Sequence, residues 1–129
     1  MAGVGERRGS GGPWEDRFGY SRVVRVGPLA LTAGCTSVID GAVEGIGDAG
    51  LQARVAIGTA LAALAGVGVR PEEVVASRLS ITDRVHAEDV GLAHGEIFGT
   101  IRPVATMVIV QGLLDPDMLV EVELTAWAG

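Results

Sequence analysis

The sequence predicts an α+β fold in which two helices cover one face of a single sheet. Three observations carry this. The C-terminal segment alternates, with Val120, Val122, Leu124 and Ala126 on one face and Glu121, Glu123 and Thr125 on the other. Two alanine- and leucine-bearing segments repeat at helical spacing. Arranged in chain order, the elements read β-β-α-β-α-β-β, a pattern that segregates helices to one side of the sheet. The chain has 129 residues, 48% of them hydrophobic and 20% charged, enough for one core and one domain.

Residues 1–13 are rich in glycine and charge and lack periodicity, so they read as a mobile tail, leaving 14–129 as the domain. "SRVVRV" and "LALTA" flank "GP" and form a β-hairpin. "SVIDGAVEGIGDAG" is a loop with room for a short extra strand, and it ends at Asp48, a helix N-cap. A helix follows from about Gly50 to Val67, its broad apolar stripe carried by Leu51, Val55, Leu61, Leu64 and the intervening alanines, and Gly66 and Gly68 end it. "RPEEV" is a turn and "VVASRLSIT" a β-branched strand. The second helix covers about His86 to Phe98, with Gly99 near its end. "VATMVIV" and "MLVEVELTAWA" complete the sheet.

The strand within "RPVATMVIV" is apolar on both alternating sets, with Ala105, Met107 and Ile109 on one face and Thr106, Val108 and Val110 on the other. Two apolar faces need two covers. The helices supply one. Self-association that buries the opposite sheet face supplies the other, because that surface is too apolar for a comfortable monomer.

Composition excludes several chemistries. All ten basic residues are arginine, so no enzyme lysine is present to form a Schiff base with a substrate or with pyridoxal phosphate. Cys35 is the only cysteine, which rules out an internal disulfide and a thiolate metal cage, and the spacing of His86 and His94 matches no common metal motif. The net charge of −6 and the lack of a basic cluster beyond Arg7 and Arg8 speak against a nucleic-acid partner. No segment reads as a secretory signal or a membrane span, so a cytoplasmic location is expected.

"YSRVVRVGPLALTAG", "GVRPEEVVASRLSITD", "HGEIFGTIRPVATMVIV" and "LVEVELTAWA" occur in order at compatible spacing. Through them the chain resembles the Rid (YjgF-type) family of reactive intermediate imine/enamine deaminases, from about Pro13 onward. The resemblance implies a chorismate-mutase-like fold assembled as a homotrimer. It also implies clefts between subunits and cofactor-free hydrolysis of short 2-imino or 2-aminoacrylic acids. In that pattern an arginine on the "RPVATMVIV" strand grips the substrate carboxylate, and a last-strand glutamate positions water or moves a proton. The family's tyrosine falls on Tyr20, its glycine after the second strand on Gly34 and its glutamate on Glu121. Its arginine falls on Ala105. The chain therefore reads as a divergent branch that lacks the substrate-binding arginine, and its substrate is expected to differ from a short free 2-imino acid.

The candidate residues each carry an ordinary alternative. Glu121 is an acid/base candidate or an intersubunit hydrogen-bond partner. His94 is a general base in the cleft or a solvent-facing helix histidine, and Glu96 shares its helix but points elsewhere. Arg102 offers a substitute guanidinium or a surface ion pair, with Arg22 and Arg25 weaker substitutes. Cys35 reaches the cleft entrance or is a small buried thiol. Trp14 and Tyr20 stack on a flat substrate or pack against a neighbour. Met107 joins Ala105 in the cleft wall. The function expected is imine or enamine hydrolysis or tautomerisation. The alternative is a non-catalytic ligand-binding trimer.

Overall fold

The computed structural model describes residues 5–129. Strand β1 (Glu6–Arg8) and a short helix α1 (Pro13–Phe18) precede the expected hairpin, β2 (Val23–Val26) and β3 (Leu29–Thr32). Gly27 sits in the two-residue turn between them at φ 59°, a conformation that suits a residue without Cβ. The loop that follows holds a second hairpin, β4 (Val38–Ile39) and β5 (Ala42–Val43). Asp40 and Gly41 turn it with both φ values positive, as a tight two-residue hairpin requires. Helix α2 (Ala49–Ala65), β6 (Val74–Ile81), helix α3 (Ala87–Phe98), β7 (Val104–Ile109) and β8 (Val120–Trp127) complete the chain, with single 3-10 turns at Pro71–Glu73 and Arg84–His86.

The main sheet has six strands in the order β1-β2-β3-β8-β6-β7. Neighbours are antiparallel except β6 and β7, which run parallel across the α3 crossover. Helices α2 and α3 pack against each other, and α2 lies on β3 and β8. This is the expected mixed architecture, one main sheet with two main helices. As the alternation predicts, Val120, Val122, Leu124 and Ala126 are buried beneath the helices. Phe98, Ile57, Leu64, Leu79 and Ile81 join them as the largest buried side chains, each contributing about 1.5–3 kcal/mol.

Helix α2 begins where expected, with the Asp48 carboxylate accepting a hydrogen bond from the backbone N–H of Leu51, a cap that contributes about 1 kcal/mol. Its buried face takes alanines and Leu64 of the expected stripe but not its other large residues. Leu51 is exposed and Val55 and Leu61 are half-buried, while Ala53, Ala56, Ile57, Ala60 and Leu64 are buried. The helix turns its small residues inward because they let its backbone approach the sheet closely. Close packing, rather than side-chain size, sets the rotation of the helix.

The expected tail also differs from residue 6 onward. Residues 1–4 lie outside the described residues. Glu6–Arg8 pair with β2, Glu6 opposite Arg25 and Arg8 opposite Val23. Pro13 occupies the first turn of α1, where its missing N–H leaves no bond unmade. Neither element has apolar periodicity to announce it. The open edge of β2 offers unpaired backbone groups, and a charged strand fills that edge.

Candidate functional site

Glu121 occupies the outer face of β8, away from the helices. Its cross-strand partner is Ser80, whose own partner on β7 is Val108, so these three form one row on that face. Gly34 follows β3 and comes close beneath the carboxylate: a Cβ on Gly34 would lie 2.6 Å from Glu121 Cδ. Only glycine admits this approach. The next residue is locked to β8 by two backbone bonds, the Cys35 N–H donating to Val122 O at 2.7 Å and the Val122 N–H donating to Cys35 O at 2.9 Å.

Burial raises the pKa of Glu121, and the negative charge of Glu123 raises it further, against an opposing pull from Arg22. The carboxyl therefore keeps its proton to higher pH than an exposed glutamate. Cys35 is buried, and burial pushes its thiol up as well, with Arg22 partly offsetting the shift. An activated nucleophile would show the reverse.

Arg22 completes this group. Its Nη1 donates to Gly34 O at 2.6 Å and lies 3.6 Å from Cys35 Sγ, its Nε donates to Glu15 Oε2 at 3.3 Å, and its guanidinium carbon lies 5.7 Å from the Tyr20 ring centroid. Glu15 is buried. It also accepts hydrogen bonds from the Ser10 N–H and hydroxyl. Burial works to raise its pKa, but the Ser10 bonds and the Arg22 charge prevail and hold it below the usual carboxylate value. Tyr20, Gly34, Cys35 and Glu121 thus lie around Arg22, which the sequence offers only as a weaker substitute.

His94, Ala105 and Met107 stand elsewhere. In the register of β8, β6 and β7, Leu124, Ser77 and Ala105 form one row and Val122, Leu79 and Met107 the next, both on the helix side. His94 reaches down from α3 with its Nε2 2.7 Å from the Ser77 hydroxyl and its ring against Phe98. It is half-buried, so neither the solvent-facing role nor a place beside Glu121 in the same chain applies. Burial lowers its pKa and keeps it neutral. Ser77 was missed in the sequence. A serine at the inward parity of a β-branched strand was the available signal, since a buried hydroxyl needs a partner.

Consequently Glu121 and residue 105 of one chain face opposite sides of the sheet. A single pocket holds both only if two chains contribute to it. Strand β7 fits that requirement, because it is an edge strand and most of its residues on both faces are exposed.

The remaining candidates lie apart. Arg102 is exposed and takes φ 59°, its N–H donating to Phe98 O at 2.8 Å to close the end of α3. Trp14 stacks on Phe18 with centroids 5.2 Å apart, beneath Arg17. Glu96 forms a two-point ion pair with Arg54 that ties α3 to α2 on the surface. Among the described residues no group of three or more histidine, cysteine or acidic side chains is placed to hold a metal, and no helix is long and apolar enough to cross a membrane.

Comparison with known proteins shows the family and the fold. SCO2049, an uncharacterized protein of Streptomyces coelicolor, is 40% identical over 120 residues, covering 93% of this chain and 90% of its own length. The crystal structure of Rv2704 from Mycobacterium tuberculosis, described as a member of the YjgF/YER057c/UK114 family, superposes with a TM-score of 0.86 at 38% identity, covering 95% of this chain and 98% of that one. E. coli TdcF, solved with bound serine, shares the fold with a TM-score of 0.80 at 22% identity, each chain covered to 98%. A family model described as Endoribonuclease L-PSP matches residues 15–128. With nearly the whole chain matched, the protein belongs to the L-PSP family, the YjgF/Rid group that its motifs resemble.

Proposed function

We propose that the protein is a small-molecule enzyme that hydrolyses or tautomerises an imine or enamine without a cofactor, in a cleft formed between subunits of a homotrimer. The observation that carries this reading is Glu121, a half-buried carboxyl group seated on Gly34 with its pKa raised by burial. A protonated carboxyl can deliver its proton to the β-carbon of an enamine, giving the imine. The resulting carboxylate can then take a proton from water as the water oxygen bonds to the imine carbon. Return of that proton to nitrogen lets ammonia leave as the carbonyl forms, and the hydroxyl proton shed in that step passes to the carboxylate, so the protonated imine plus water becomes carbonyl plus ammonia and the carboxyl is restored.

Three features support an intersubunit cleft. Trimers are typical of the family. Strand β7 lacks cover on both faces, and Val104 is 73% exposed, Ile109 52% and Trp127 57%. The family's two cleft positions, Glu121 and Ala105, lie on opposite sides of one sheet.

Cleavage of RNA, which the family model's description names, suits this chain poorly. A polyanion needs clustered cations, and the net charge is −6 with Glu121 and Glu123 together on the candidate face. A second reading, a ligand-binding trimer without turnover, is favoured by one observation: Ala105 presents no cation on β7. The experiment is ammonia release from freshly generated 2-iminobutyrate and 2-iminopropionate, comparing wild type with Ala105→Arg. Turnover in either protein supports the hydrolytic cleft. Silence in both, with saturable ligand binding, would replace it with the binding reading.

A further inference from the structure

Arg22 is held rigidly at the entrance to β2. Its backbone N–H donates to Arg8 O and its carbonyl accepts from the Ala33 N–H, both at 2.8 Å, so the residue is clasped between β1 and the end of β3. Its guanidinium lies over the ring of Tyr20 and donates to the Gly34 carbonyl, two residues that the family pattern places in the cleft, and it reaches the sulfur of Cys35, the residue after Gly34. Nε is engaged by Glu15, but through a single contact of 3.3 Å and not the two-point fork that arginine makes with a dedicated carboxylate partner.

Nη2 has no hydrogen-bond acceptor among the described residues. No fully buried side-chain nitrogen or oxygen there lacks a partner, so Nη2 keeps some contact with solvent although the side chain is only 15% exposed.

The other arginines near the sheet are otherwise committed. Arg25 donates to the carbonyls of Gly27, Val67 and Ala128, while Arg78, opposite Glu123 in the register, and Arg102 are exposed and make no side-chain hydrogen bond to Tyr20, Gly34 or Cys35 among the described residues. We infer that Arg22 is the anion-binding group of this site. The substrate then carries a carboxylate, held from beside Gly34 on the same chain as Glu121 and not from position 105 of β7. A partly desolvated guanidinium with one free edge, fixed by Glu15 and by the backbone, is suited to this task. The site keeps a cation for its ligand despite the alanine.

The inference rests on the cleft assigned above, and its test reads binding, not turnover. Titration calorimetry on the full chain would compare 2-oxobutyrate with its primary amide, 2-oxobutyramide. The acid should bind wild type at least ten-fold more tightly than the amide, and Arg22→Gln should bring the two within about two-fold. Glu15→Gln, which removes the countercharge, should increase the preference for the acid several-fold, whereas a purely structural ion pair predicts no gain. Equal affinities in wild type, binding of neither ligand, an acid preference that survives Arg22→Gln, or a Glu15→Gln variant with no gain would each overturn the assignment. If Arg22→Gln does not fold, Glu15→Gln alone decides. A clear acid preference without ammonia release from any imine would instead remove the hydrolase reading and leave the role of Arg22 standing.

Discussion

Replacing Gly34 by alanine isolates the contact on which the candidate site depends. The new methyl carbon would lie 2.6 Å from Cδ and Oε1 of Glu121 and 3.0 Å from its Cγ. Ordinary contact begins near 3.4 Å, so the carboxyl group must retreat by about 0.8 Å. It can do so by rotating, since it is the end of a flexible side chain, and little folding energy should be lost. A reacting group displaced by about 1 Å can cost on the order of 100-fold in rate, or about 2.7 kcal/mol of barrier. The expected outcome for Gly34→Ala is thus a roughly 100-fold fall in kcat for ammonia release, with a melting temperature within a few degrees of wild type. Carbon-detected titration of the Glu121 carboxyl gives a second reading that needs no substrate. Pushed toward solvent, the group should lose part of the shift that burial imposes, and its pKa should fall toward 4.5. The same substitution in a Glu121→Ala background should have no further effect on rate. Full activity in Gly34→Ala, an unmoved carboxyl pKa, or an equal rate loss in both backgrounds would refute the claim that Gly34 acts by seating Glu121.

Other predictions follow from the same electrostatics. Glu121 has a folded-state pKa above its unfolded value, so it binds its proton more tightly in the native state. Native stability therefore falls as pH rises from about 4.5 through the raised value. Glu121→Gln should abolish turnover yet be at least as stable as wild type at pH 7 in urea unfolding, with the two proteins converging near pH 4; a less stable variant at pH 7 would contradict this. Glu15 shows the opposite shift, its contribution present above about 4.5 and lost as pH falls through its lowered pKa. Glu15→Ala should cost roughly 3 kcal/mol at pH 7, because it strips partners from Ser10 and from the largely buried Arg22. His94, whose pKa is depressed by burial, contributes stability that is complete above 6.5 and lost as pH falls through the folded value. His94→Gln should flatten the difference in urea midpoint between pH 7 and pH 5, and an unchanged slope would clear the histidine of that role. Val104→Asp changes a residue that is 73% exposed in the single chain, so any effect should come from assembly. Light scattering should show smaller particles, and an unaltered oligomer would place the interface elsewhere.

Sequence alone determined the order of the main elements and the inward face of β8. Those features rest on local chemistry: strand alternation, the Asp48 cap, the glycines after α2, and motifs whose order identifies the family. It also singled out Tyr20, Gly34 and Glu121 as candidates through the family pattern, with Cys35 beside them in the chain. Tertiary structure decided the rest. Strand β1 exists because β2 leaves an open edge, and within the apolar stripe of α2 it is the close approach to the sheet that turns Ala53, Ala56 and Ala60 inward and leaves Leu51 exposed. The relation of Glu121 to Ala105 depends on register across three strands, which no single segment encodes. Arg22 looked like one charge on an edge hairpin until folding clasped it between Glu15 and Gly34. Alternation tells which side of a strand a residue takes; only the packed chain shows what waits there for it.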